Sequence, residues 1–172
     1  MQKENIKIFS RKQIEKLALF PFPPNTALIS IRDANAEIPK LKHKPTWLLQ
    51  LAFDDISSDE IDDYKGKEYT LFDESIARKI ADFVDECKDK AEPIICQCEY
   101  GQSRSAAVAA ALSEFFCQSG IDIFADDRYY PNKLAFRLTL KALMEKGQEM
   151  PDIKVPTAWM IRRDGKEKAP TL

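Results

Sequence analysis

Histidine is nearly absent from this chain of 172 residues, where His43 stands alone. The four cysteines include no C-x2-C pair. The closely spaced nitrogen and sulfur ligands of a structural zinc site are therefore missing, and neither a metal nor another cofactor is expected. No stretch approaches the roughly 20 apolar residues of a spanning helix. The first twenty residues mix charge with apolarity rather than setting an apolar run before a small-residue cleavage site. Both lacks predict a soluble, cytoplasmic protein with no membrane partner. An excess of one charge is missing too. Lysine and arginine number 26 against 28 acids, a net charge of -2, so no global basic surplus exists to hold a nucleic acid. Any phosphate recognition must be local. Internal repeats are absent as well.

What the chain does have is core. With 44% apolar residues, it is too long and too apolar for its four cysteines, Cys87, Cys96, Cys98 and Cys117, to suggest a disulfide-stapled miniature. A reducing compartment fits better. One domain over 1–164 is expected, followed by a frayed charged tail at 165–172.

Ile6, Ile8 and Phe9 open a short strand, and Ser10 with Gln13 forms a capping-box pattern for a helix through about Leu19. Three prolines within 20–25 break that helix. The apolar runs 26–32 and 47–53 read as buried strands, separated by a polar loop or short helix over 33–45. The acidic stretch 54–63 reads as an exposed loop. A one-sided apolar stripe of Ile76, Ile80, Phe83, Val84 and Cys87 predicts a helix over 73–88. Strand 94–97 follows Pro93. Then comes a helix over 104–119, apolar on every side from Ala106 to Leu112 and ended by Gly120, and a last helix over 132–146. Strands alternating with helices predict an α/β domain with a central, mainly parallel sheet flanked by helices.

The informative stretch is Cys98-Glu99-Tyr100-Gly101-Gln102-Ser103-Arg104-Ser105, a turn between a strand and a buried helix. A thiol there faces the amino end of the following helix, whose unpaired N–H groups favour the thiolate. No proline interrupts Glu99 to Arg104, so every backbone N–H is available. Gly101 can take the positive φ that closes an anion-binding nest. Arg104 offers a planar fork for two phosphate oxygens at once.

These residues resemble the C-x2-G-x-S-R-S phosphate loop of the protein tyrosine phosphatases, specifically the dual-specificity group in its compact bacterial and phage form. Pro131-Asn132 with Phe136 is similar to the P-N-x-x-F element of that family, and the segment 49–56 resembles the strand that delivers its acid loop. The resemblance covers about 26–146. It implies the cysteine-phosphatase fold and a phosphocysteine intermediate, with Cys98 as nucleophile and Arg104 plus the backbone of Glu99, Tyr100, Gly101, Gln102 and Ser103 holding the phosphate. It also implies Ser105 as a hydrogen-bond donor to the departing thiolate, although a serine at a helix start can equally be a cap. Asn132 is expected either to support the loop or to cap a helix. The general acid is sought in Asp55 or Asp54, with Asp62 and Asp63 nearer the usual sequence distance. Gln97 departs from the pattern, because the family has a histidine there and glutamine cannot carry its charge.

Arg128, Lys133 and Arg137 read as surface charge, and Tyr129 or Tyr130 as pocket wall or core. The implied partner is a phosphorylated protein or a small phosphomonoester, of unspecified phosphoresidue. Two other chemistries use the same residues: a phosphate-binding module without turnover, and a thiol sulfurtransferase or redox protein.

Overall fold

The computed structural model describes residues 5–56 and 68–148. Asp62, Asp63 and the expected tail lie outside them. Four strands form one all-parallel sheet in the order β1-β4-β2-β3, with β1 at Ile6–Ser10, β2 at Ala27–Arg32, β3 at Trp47–Ala52 and β4 at Ile94–Cys98. Every residue of β4 is buried, as a central parallel strand covered on both faces requires.

Alternation along the strands sorts their side chains to two faces. Ile94, Cys96 and Cys98 join Ala27, Ile29, Ile31 and Leu51 in the main core, beneath helices α2 (Glu74–Cys87), α3 (Arg104–Cys117) and α5 (Lys133–Gln148). Leu28 and Ile95 point the other way, where Ile14 of α1 (Arg11–Leu17) covers them in a much smaller cluster. Helix α3 is the central pillar. Its residues Ala106 to Leu112 are wholly buried, and five alanines among them let the helix lie close to its neighbours on all sides.

Local chemistry explains the helix ends. Ser10 and Gln13 make the expected capping box, with Gln13 N–H donating to Ser10 Oγ at 3.3 Å and Ser10 N–H to Gln13 Oε1 at 2.8 Å. That helix stops at Leu17, two residues short of the expectation, with Ala18 as its C-cap. Asp73 caps α2 by accepting the Ile76 N–H at 2.9 Å.

One expectation is corrected. Helix α3 ends not at Gly120 but at Gln118, which takes the left-handed conformation (φ 52°) while Ser119 N–H reaches back to the Ser113 carbonyl. Gly120 has an ordinary φ of -59° and opens the short helix α4 (Ile121–Phe124). Its glycine identity answers space instead, since a Cβ there would lie 2.6 Å from the Ala110 carbonyl oxygen and 2.8 Å from Glu114 Cβ.

Gly120→Ala should therefore destabilise the fold by about 1–3 kcal/mol, the usual scale for an overpacked contact. Asp73→Ala should cost about 1 kcal/mol by loss of a cap. Urea titrations followed by far-ultraviolet circular dichroism measure both.

Candidate active site

The carboxyl ends of β2, β3 and β4 converge on one edge of the sheet, where parallel α/β sheets place their ligands. Cys98 closes β4 and is 2% exposed. Its Sγ lies 3.1 Å from Ser105 Oγ and receives the Gly101 N–H at 3.3 Å. The turn thus curls back over the sulfur. Gly101 holds it there with φ +74°, a conformation that costs other residues strain. It also lies flat against the β1–α1 junction, where a Cβ would sit 2.7 Å from Ser10 N and 2.9 Å from the Phe9 carbonyl carbon.

The rest of the turn is fastened from both sides. Arg11 N–H donates to the Glu99 carbonyl at 3.1 Å, and the Arg11 guanidinium pairs with the Glu99 carboxylate at 3.4 Å. On the other side, Tyr130 N–H donates to the Gln102 carbonyl at 2.9 Å. Tyr100 within the turn and Tyr130 beside it stand exposed.

Arg104, the first residue of α3, is buried to 3% exposure. Its Nη1 donates to the Phe53 carbonyl at 2.7 Å and lies 2.6 Å from Asp33 Oδ1, while the guanidinium faces the Phe53 ring with 5.9 Å to the centroid. Its Nε is buried without a hydrogen-bond partner among the described residues.

The two adjacent acids after β3 go separate ways. Asp55 Oδ1 accepts from Ser103 Oγ at 2.7 Å and from Asn132 Nδ2 at 3.0 Å, and its Oδ2 lies 3.8 Å from Arg104 Nε. Asp54 instead accepts the Thr70 N–H at 2.8 Å and the Ala34 N–H at 3.3 Å, which makes it a tie between loops. Asn132 does two things at once, because its Oδ1 also accepts the Ala135 N–H at 3.0 Å and so caps α5. Its amide meets the acid rather than the turn.

Gln97 is wholly buried on the α1 side of the sheet, opposite Cys98. Its Oε1 accepts from Ser30 Oγ at 2.7 Å, and its Nε2 has no hydrogen-bond partner among the described residues. Arg128 pairs with Asp126 at 2.6 Å, well exposed. Asp33 belongs to the polar stretch 33–45, and no periodic pattern in the sequence singles it out as the residue of that stretch that meets Arg104.

No protein-family model matches this chain, and no curated protein matches it. Solved structures do. Human DUSP28 superposes with a TM-score of 0.53 at 12% identity, over 85% of this chain and 96% of that one. PTPMT1 in complex with PI(5)P superposes with a TM-score of 0.51 at 12% identity, over 84% of this chain and 94% of that one. The fold is therefore that of the dual-specificity and protein tyrosine phosphatases. Among the described residues, no helix is long and apolar enough to cross a membrane.

Burial also separates the thiols. It pushes Cys87 up to about 11, and burial with the neighbouring Cys98 sulfur pushes Cys96 up as well, so neither is available as thiolate near neutrality. Iodoacetamide at about pH 7.5, well below the Cys87 value, should leave both unlabelled in the native protein, as peptide mass spectrometry would reveal. Gly101→Ala should destabilise the fold by about 1–3 kcal/mol in a urea titration, because the turn cannot keep both its φ and its contact with Ser10.

Proposed function

We propose that the chain is a cysteine-dependent phosphomonoester hydrolase, most simply a protein tyrosine or dual-specificity phosphatase. The observation that carries this is Arg104: a buried guanidinium, tethered at Nη1, whose Nε has no hydrogen-bond partner among the described residues, at the head of the helix that follows the Cys98 turn. A buried donor left unpaired is costly, and a phosphoryl oxygen would satisfy it.

In the reaction the Cys98 thiolate attacks phosphorus and the bond from phosphorus to the leaving oxygen breaks. The turn amides and Arg104 hold the three equatorial oxygens, where the transition-state charge is spread. Asp55 gives its proton to the leaving oxygen. It then takes one from the water that cleaves the phosphocysteine, and Ser105 donates to the sulfur as it departs. Asp54 is tied up by two backbone N–H groups, which favours Asp55 for the acid.

The proposed substrate is a phosphorylated protein side chain or a small phosphomonoester. Tyr100 and Tyr130 supply exposed aromatic surface beside the turn for the body of the substrate. The carboxylates of Asp33, Asp55 and Glu99 disfavour a head group carrying several phosphates.

The test is hydrolysis of p-nitrophenyl phosphate. Cys98→Ser should eliminate turnover, and Asp55→Asn should lower kcat by about a hundredfold, within the usual range for a lost general acid, with little change in KM. Vanadate binding without any turnover by the wild-type chain would instead make it a phosphate-binding module.

A further inference from the structure

Asp33 stands just past the end of β2, and its carboxylate meets Arg104 at Nη1. Nη1 takes both the Asp33 contact at 2.6 Å and the bond to the Phe53 carbonyl at 2.7 Å. Nε has no hydrogen bond among the described residues, and the Asp55 oxygen 3.8 Å away lies beyond hydrogen-bond reach. A guanidinium grips a phosphoryl group through two parallel N–H bonds along one edge. A tether on Nη1 leaves the edge formed by Nε and Nη2 for that use.

The turn that carries Asp33 is built to hold still. Arg32 Nη1 reaches into it and donates to the carbonyls of Asp33, Ala34 and Ala36 at 3.1, 2.9 and 2.9 Å. Asp54 pins it from across the loop through the Ala34 N–H at 3.3 Å. The Asp33 side chain itself is 47% exposed, so it has water to turn to and meets Arg104 nonetheless.

We propose that Asp33 is a positioning residue that holds Arg104, through Nη1, in the orientation that presents its Nε and Nη2 edge to the phosphoryl oxygens. Its importance depends on the chain being the phosphatase proposed above. Two opposed effects follow from removing it. Loss of orientation weakens the fork where the transition state needs it. Loss of a negative charge beside an anion site favours ground state and transition state alike. Only the first lowers kcat.

With p-nitrophenyl phosphate, Asp33→Ala should therefore lower kcat by about tenfold while KM stays level or falls, a scale typical of small misplacements of a catalytic group. Asp33→Asn keeps an oxygen for Nη1 and should stay within about threefold of wild type. In an Arg104→Lys background, Asp33→Ala should change kcat by less than about twofold, since the partner it orients is gone. The affinity for vanadate relative to inorganic phosphate should drop with Asp33→Ala in the Arg104 chain and not in the Arg104→Lys chain.

An increase in kcat/KM with an unchanged kcat for both Asp33 variants would show a carboxylate that only repels substrate, and would overturn the proposal. A fall that persists in the Arg104→Lys background together with a lower melting temperature would make Asp33 a support of the fold, which also overturns it. A wild-type chain that binds vanadate without turnover defeats the phosphatase reading alone and leaves the vanadate-to-phosphate ratio to decide the role of Asp33. A wild-type chain that binds neither oxyanion defeats both.

Discussion

A guanidinium buried to 3% exposure is the constraint around which this site is arranged. Arginine keeps its charge under all ordinary conditions, so burial must be answered by acceptors and opposite charge or the fold loses several kcal/mol. Arg104 receives a carbonyl oxygen, a carboxylate and an aromatic face, but its two shortest polar contacts fall on the same nitrogen, and the Asp55 oxygen stays 3.8 Å from Nε. What remains is a buried Nε without a hydrogen-bond partner among the described residues, and it lies where β2 leads to Asp33, β3 leads to Phe53 and Asp55, and β4 ends in Cys98. That convergence is a property of the parallel sheet, whose strands all end on the same side.

The sulfur end of the site depends on main chain more than on side chains. Ser10 and Cys98 are register partners in β1 and β4, which brings the start of α1 beside the turn after Cys98. Gly101 fits against that junction with no room for a Cβ, and the Arg11 N–H takes the Glu99 carbonyl. A turn held by backbone contacts on one side and by Tyr130 N–H on the other has little freedom to open. The acidic Glu99 is accommodated in that turn because Arg11 pairs with it.

Much of this was legible from local pattern. The stripe of α2, the all-round apolarity of α3, the Ser10–Gln13 box and the strand-turn-helix around Cys98 each depend on residues within a few positions of one another, and each appears in the fold where expected. The misses have a common cause. Asp33 and Arg104 meet only because β2 and β4 are neighbours in the sheet, and no periodicity links positions so far apart in sequence. Gln118 ends α3 in the left-handed conformation, and Gly120 is required by packing against Ala110 and Glu114, a contact that the sequence around the glycine does not show. Asn132 was open between two roles because one amide serves both, its oxygen capping α5 while its nitrogen meets Asp55.

The divergence of Asp54 and Asp55 carries the coupling between the two halves of the site. Successive residues leaving an extended strand point to opposite sides, so neighbouring acids cannot both face the turn. Asp55 faces it. Asp54 turns away and binds the Ala34 N–H, and Ala34 adjoins the residue that meets Arg104. One short brace therefore fixes the relative placement of the arginine and the acid that stands beside it. In the reaction proposed for this chain, a phosphoryl group seated between them would meet both in a geometry set before it arrives, so the cost of aligning them falls on folding rather than on the reaction step.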